Sequence, residues 1–494
     1  MGMVLNTNIS SIQAQRALSE SRKDMEKAME RLSTGKKING AADDAAGLAM
    51  VERMTTQIRG LTMATRNAND GISLIRTVEN ALVEVSGMLQ RMRVLAIQSA
   101  NDTNTSTERA FANNELNQLQ LEISRVSLNT RFNGAQVLNG SFSAKSLQVG
   151  TESGEAISFS IANVESSQLG AFVIAGTLRE AIPSTATATP LANGVNGTST
   201  TLTANGVDRI IAHATGLEAK TIASRINAVA GATQVSAEAR TFAHFYGTHA
   251  SPSGNQINRR ISVNGIQTAA FTLTASDVSD AVQKINAIST TTGVQASATS
   301  DYKILLSDQD GNDIKIINTS ASTDLKIVAI GIDSITAGST VLSLAATGGG
   351  ADSATVAGGI RLTASLGFTV TDHASAPNFF AVNSTAAPLV SISDVDVLTR
   401  IKSTDSLAVI DGAIAYVSAM RGGLGTLENR LEYTVSNLMK VTEYTTGARS
   451  RIEDADFAAE TSRLAKAQVL QQAGAAMLVQ ANASSDTVLQ LLRG

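Results

Sequence analysis

Residues able to do acid–base, metal or phosphate chemistry are few in this chain, and badly spaced for it. Four histidines, His213, His244, His249 and His373, all fall in the middle of the sequence. None belongs to a His-Glu-x-x-His pattern, which would set two imidazoles on one helix face for zinc, so they read as solvated loop residues. Asp308-Gln309-Asp310-Gly311-Asn312-Asp313 alternates oxygens as a calcium loop does, but no bidentate glutamate follows at the required place. A hairpin turn between Ile304-Leu305-Leu306 and Ile314-Lys315-Ile316 explains it better. Asp43-Asp44 has no further oxygen or histidine cluster nearby, and helix capping is favoured over metal binding. Gly35-Lys36-Lys37 lacks the upstream glycine of a phosphate-binding loop, and Gly348-Gly349-Gly350 lacks a following lysine. The absence of cysteine removes disulfides, thiolate catalysis and Cys-type zinc sites together. No catalytic, cofactor-binding or metal residue is assigned, and the chain reads as a non-enzyme without a cofactor.

One further cluster could recognise a partner. Arg91, Met92, Arg93 and Leu95 put two guanidinium groups and an apolar residue on one helix, and Glu115 lies on the next. By periodicity alone Arg91 and Glu115 are surface charges of a bundle, forming at most an interhelical pair worth little.

The elements that carry these residues are long helices. Met54, Leu61, Ala68, Ile75, Leu82, Leu89 and Ala96 recur every seven residues, beside a second row that slips by one, Ile58, Thr65, Ile72, then Val78, Val85 and Met92. That is a coiled-coil seam with one phase shift. A helix from Ala45 to Ala100 is about 84 Å long at ~1.5 Å per residue and cannot bury its seam alone. Its partner lies at the far end of the chain, where Ile410, Val417, Leu424, Leu431 and Leu438 keep the same beat. The two ends of the sequence therefore pack together. A thinner seam, Leu18, Met25 and Leu32, marks a first helix, and Ala112, Leu116, Leu119, Ile123 and Val126 mark a third. The helix of the second seam is expected to end near Thr445-Thr446-Gly447. A last helix carries Ala467, Leu470, Gly474, Met477 and Ala481 at three-four spacing, and the chain finishes on Leu491 and Leu492, apolar residues that need cover.

Composition agrees with bundles rather than a deep pocket: no Trp, 3% aromatic residues and a net charge of −4, which leaves no electrostatic footprint for nucleic acid. No run of eighteen apolar residues suggests membrane insertion. The start lacks a basic region followed by an apolar core, which argues against a cleaved secretory signal.

Leu147, Val149, Ile157, Phe159 and Ile161 shift to period two and predict a β-hairpin. From about Thr177 to Lys402 the sequence is rich in Thr, Ala, Ser and Gly and contains a repeat. Asn205-Gly206, Ile226-Asn227-Ala228 and Val235 recur 59 positions later as Asn264-Gly265, Ile285-Asn286-Ala287 and Val294. Each copy reads as hairpin, helix and returning strand. The fold class is thus α+β multidomain: a long antiparallel helical bundle from both termini, with β-rich outer domains inserted in the middle. The divisions are 1–42 with 451–494, then 43–176 with 403–450, then 177–402 with modules at about 200–245 and 259–317.

Several stretches together resemble bacterial flagellin, the filament subunit: Asn6-Thr7-Asn8, Glu30-Arg31-Leu32-Ser33-Thr34-Gly35, Asp43-Asp44-Ala45-Ala46-Gly47 and Arg66-Asn67-Ala68-Asn69-Asp70-Gly71-Ile72-Ser73. Gln98-Ser99-Ala100-Asn101, Arg131-Phe132-Asn133-Gly134, Ser450-Arg451-Ile452-Glu453-Asp454-Ala455-Asp456-Phe457, Gln471-Gln472-Ala473-Gly474 and Leu491-Leu492-Arg493 continue the match in order. The resemblance implies a filament whose inner tube is built by the two terminal helices, with the middle domains outward. It implies export of the unfolded chain through the flagellar type III channel to an extracellular flagellum. Its partners would be further copies of itself, an export chaperone, the filament cap and hook-junction proteins. In many flagellins the residues matching Arg91, Leu95 and Glu115 form the surface seen by the animal Toll-like receptor for flagellin. A hook-filament junction protein, or a flagellin with an enzymatic or adhesive outer domain, are the alternative readings.

Leu18, Met25, Leu32, Leu470, Met477, Leu491 and Leu492 are the expected assembly residues, and Leu61, Ile75, Leu82, Leu89, Val417, Leu424, Leu431 and Leu438 the bundle seam. The terminal seams are too thin to offset the ordering entropy of two isolated helices, so both ends are expected to be unfolded in a single chain and to fold on assembly.

Overall fold

The computed structural model describes residues 7–184, 193–247, 258–274, 277–321, 325–373, 378–380 and 383–493, the side chains of 383 and 484–493 excepted. Its helices are α1 Ile9–Thr34, α2 Ala45–Ser99, α3 Ser106–Asn129, α4 Ala219–Ala228, α5 Ala230–Thr233, α6 Ser279–Asn286, α7 Ser289–Thr292, α8 Arg400–Glu453 and α9 Phe457–Arg493. The chain forms two compact units, one of Met1–Ile75, Ala144–Phe159 and Gly425–Gly494, the other of Arg76–Ser143 and Ser160–Leu424.

In the first unit α1 and α9 run antiparallel. Asn8 caps α1 by accepting from Ser11 N at 3.0 Å, and its amide also donates to Ala481 O at 3.0 Å. Gly35 closes the helix with φ 70°, a left-handed conformation that an L side chain resists. At the other end of the pair Arg31 reaches Glu460 at 3.3 Å. Both ends form helices that pair with each other. Their sequences are rich in good helix formers, Ala, Gln, Glu, Leu and Arg, and each helix gives the other a partner. The seam is nonetheless thin: on α1 only Ser11 and Ala28 are buried, and on the described part of α9 Glu460 and Ala467.

α2 starts where Asp44 accepts from Gly47 N at 2.9 Å, while Asp43 accepts from the amides of Asn39 and Gly40 at 3.1 and 3.3 Å. Asp44 thus caps α2, while Asp43 ties down the connector before it. Leu61, Ala64 and Leu438 pack as one apolar cluster with Val441 against it. The hairpin of Lys145–Gln148 and Ala156–Phe159 rests on α2, with Asn67 Nδ2 donating to Gln148 O at 3.0 Å. α8 continues past Gly447 to Glu453. A single interior glycine weakens a helix by only about 1 kcal/mol, and Arg449 pairs with Glu453 at 3.5 Å and with Thr55 at 3.3 Å. There the two connectors meet: Lys37 N donates to Glu453 O, Ala455 N to Gly35 O, and Lys36 Nζ lies 2.5 Å from Glu453.

In the second unit α2 lies between α8 and α3, and therefore buries a wide sector. Val78, Leu82, Val85, Leu89, Met92, Leu95 and Ala96 are all at most 2% exposed. α3 begins with a capping box between Thr105 and Glu108. One 18-residue window of α8 has a mean hydropathy of 1.3, long and apolar enough by length and composition to cross a membrane, which the sequence reading passed over. Its Val409, Ile410, Ala413 and Val417 are buried in this unit.

The strand Val235–Gly247 organises the β region. Its first half pairs with Gly359–Ala364, and its second half lies between Ile304–Asp308 and Leu325–Ile330. It thereby passes from one apolar core, with Val235 and Ala239, into another, with Ala243 and Phe245. The repeated elements take the same local form. Asn205 and Gly206, and Asn264 and Gly265, all have positive φ, the tight turn that an Asn-Gly pair supports. In the last turn of α4 the Asn227 side chain exchanges two hydrogen bonds with the backbone of Ala237, and at the end of α6 Asn286 does the same with Ala296. The expected hairpin at Asp308–Asp313 is absent. Ile304–Asp308 and Ile314–Asn318 belong to different sheets, because Asp308 turns the chain by accepting from the amides of Asp310 and Asn312.

Candidate functional site

Two surfaces carry the residues singled out in the sequence. On the α1–α9 pair, Leu18, Met25 and Leu32 are half-buried along α1. A Cβ placed on Gly474 would stand 3.2 Å from Leu18 Cδ1, so the helices approach closely there and a larger residue would push them apart. The contact stripe of α9 is Leu464, Ala467, Gln471, Gly474, Leu478 and Ala481, each buried or half-buried. Leu470 and Met477 fall outside it, 48% and 64% exposed. The side chains of Leu491 and Leu492 lie outside the described residues.

Charge closes one end of this pair. Glu460, with 6% of its side chain exposed, takes Arg31 at 3.3 Å and Arg463 at 2.8 Å. Asp43 stands 3.8 Å from Arg31, and hydrogen bonds from the Asn39 backbone first of all hold its carboxyl below the usual range. A groove of about 360 Å³ beside these charges is lined by Asp24, Lys27, Arg31, Glu460, Arg463 and Lys466.

The sequence reading missed how much apolar surface the pair leaves open. Ile9 and Ile12 on α1 are each 59% exposed, and Phe457, Val469 and Val479 on α9 are 57%, 63% and 69%. The signal was present: α9 carries large apolar residues on more than one face, a pattern that one neighbour cannot cover.

The eight seam residues are buried, Leu61, Ile75, Leu431 and Leu438 in one unit and Leu82, Leu89, Val417 and Leu424 in the other. Arg91 and Glu115 meet in a two-pronged pair, Nε to Oε1 at 2.6 Å and Nη2 to Oε2 at 3.1 Å. The guanidinium holds the Glu115 carboxyl below its ordinary pKa. Both side chains remain about half exposed, at 52% and 44%. Leu95 does not join them at the surface. It is 2% exposed, because this stretch of α2 is covered by two helices rather than one. Val94 and Ile97, at 51% and 47%, are the apolar side chains it presents outward.

Two histidines depart from the loop expectation, while His373 is exposed just after the strand Phe368–Asp372. His213 is buried on the strand Val207–His213, its ring 5.9 Å from that of Phe379, and burial pushes its pKa down. His244 is half-buried on Val235–Gly247 and shifted the same way by burial, while His373 shares a hydrogen bond with Thr201 at 2.8 Å. His249 lies outside the described residues. Among the described residues no group of three His, Asp or Glu side chains is placed to hold a metal ion.

Comparison with known proteins matches both helical ends of the chain. A family model described as the bacterial flagellin N-terminal helical region matches residues 5–143, and one described as the C-terminal helical region matches 407–492. B-type flagellin of Pseudomonas aeruginosa is 36% identical over 495 residues, covering 100% of both chains. Flagellin B of Vibrio cholerae is 32% identical over 495 residues and flagellin B of Vibrio anguillarum 31% over 494, again over 100% of each. Among solved structures, FliC from Burkholderia pseudomallei aligns with a TM-score of 0.29 at 15% identity, covering 73% of this chain and 99% of that one. Flagellar hook associated protein-3 from Legionella pneumophila gives 0.31 at 12%, covering 81% and 98%.

Proposed function

The chain belongs to the bacterial flagellin family and is a structural subunit of the flagellar filament, an extracellular appendage; from that premise we propose that α1 and α9 carry its polymerisation. The supporting observation is the apolar surface that the α1–α9 pair leaves open, from Ile9 and Ile12 to Val469, Leu470, Met477 and Val479. In a helical array each such helix meets several others, and burial of these side chains adds the stability that the thin Ala28–Ala467 seam does not supply. Full-length likeness to flagellins favours the filament over the hook-filament junction.

The same reading includes export of the unfolded chain through the flagellar type III system, with an export chaperone, a filament cap and hook-junction proteins as partners. It also includes the animal Toll-like receptor for flagellin as a host partner, at Arg91 and Glu115. A cysteine-free chain poor in bulky aromatics suits passage through a narrow channel.

Leu470→Lys tests the assembly claim. Leu470 is exposed, so the monomer should keep its helicity by circular dichroism, while sedimentation and electron microscopy should find no filaments. Filaments formed as readily as by the parent chain would remove α9 from the contact.

A further inference from the structure

All twelve methionines lie outside the middle of the chain, with none between Met92 and Met420. Among the described residues the exposed ones fall in one unit, where Met25 and Met54 are half-buried. Met29, Met50, Met63, Met439 and Met477 are 46%, 40%, 48%, 60% and 64% exposed, and every one belongs to the unit that holds α1 and α9. In the other unit Met92 is buried and Met88 and Met420 are half-buried. Because the chain has no cysteine, these thioethers are its only sulfur. They are therefore its main target for two-electron oxidants.

Met477 lies one heptad after Leu470, on the same open row of α9, and Met29 lies on α1. A thioether in such a row packs as an apolar side chain. Its sulfoxide presents a strong acceptor oxygen, which loses its water when the row is covered by Leu, Val and Ala side chains that offer no donor. Resting on the reading of α1 and α9 as the assembly helices, we propose that Met29 and Met477 are oxidative modification sites. Conversion to the sulfoxide by a peroxide withdraws the chain from polymerisation until it is reduced.

The step balances simply. A sulfur lone pair attacks one oxygen of hydrogen peroxide; the S–O bond forms as the O–O bond breaks, and the departing hydroxide becomes water by taking up the remaining proton. Sulfur loses two electrons and the peroxide gains them. The chain has no thiol of its own to reverse this, so the reductant is an external thiol acting through a methionine sulfoxide reductase. Oxidation is confined to the unassembled chain, since assembly covers both residues.

The test uses the full chain as dissociated monomer, treated with hydrogen peroxide, mapped by peptide mass spectrometry, and then offered to short filament seeds. Met29 and Met477 should gain oxygen well before Met92, and seeded growth should slow by about tenfold or more in step with them. Reductase treatment should restore growth, and the double variant Met29→Leu, Met477→Leu should polymerise equally before and after peroxide. Unhindered growth by chains carrying both sulfoxides would overturn the proposal, as would equal inhibition of the leucine variant. Should the leucine variant fail to polymerise untreated, reductase rescue of the parent decides: growth that does not return on reduction of Met29 and Met477 counts against it. Failure of the assembly reading itself would appear elsewhere, as growth by untreated Leu470→Lys.

Discussion

Arg240 and Asp405 form an ion pair at 2.8 Å in which only 3% of the arginine side chain is exposed. Arg361 joins the same carboxylate at 2.6 Å, and Glu238 also faces both guanidinium groups. The strands Val235–Gly247 and Gly359–Ala364 are thereby tied to the first turns of α8. Asp405→Ala leaves two buried cations sharing one half-exposed carboxylate. It should destabilise the second unit by about 3–5 kcal/mol, measurable as a lowered denaturation midpoint. A change within experimental error would show that the cluster is solvated.

Stability should also depend on pH through Asp313. Its carboxyl is pushed up to about 6, chiefly by burial and then by Glu218, although Asn193 donates to it. The neutral form is favoured in the folded chain. Its contribution is complete below the ordinary carboxyl value and is lost as pH rises through about 6, amounting to about 3 kcal/mol. Asp313→Asn should flatten the thermal midpoint between about pH 4 and about pH 8. An unaltered slope would place the dependence elsewhere.

The repeat makes a paired prediction. Asn227→Ala and Asn286→Ala each remove two hydrogen bonds to the returning strand and should each destabilise by about 1–2 kcal/mol. Asn286 should lose more, because its bonds are less exposed to water. Hydrogen exchange at Ala237 and Ala296 would report the two losses separately. A large effect at one and none at the other would show that the modules are not equivalent.

For the receptor surface, Arg91→Ala should weaken activation by dissociated monomers more than Arg22→Ala, which removes only the exposed i,i+4 pair with Glu26. Leu95→Ala should act on folding instead, by about 2–5 kcal/mol, as a core truncation does. Equal receptor responses from the two arginine variants would separate this surface from recognition.

Seven-residue spacing made the long helices legible; the eight seam residues from Leu61 to Leu438 are buried, while Met54, Ile58 and Thr65 of the same rows are half-buried. It was less informative about α9, where Leu470 and Met477 share a three-four row with Ala467 and Gly474 yet face outward. Small residues are chosen for close approach and large ones for open surface, and a count of apolar positions does not distinguish them. Leu95 shows a second limit. Its burial depends on α3 as well as α8, and periodicity along one helix does not report how many neighbours it has. Asp308–Asp313 shows a third: turn chemistry was visible, but whether the two flanking strands pair is a non-local matter. The spacing of the repeat was visible because its parts are local: Asn227 and Asn286 each bond within their own copy.

The backbone bonds between Lys37 and Glu453 and between Ala455 and Gly35 join the two connectors at one level of the chain. Two covalent crossings, one on the way to α1 and one on the way to α9, are thus clamped into a single mechanical joint. A twisting load applied to either terminal helix is shared with the other before it passes along α2 and α8, so neither crossing has to bear a propeller's torque alone.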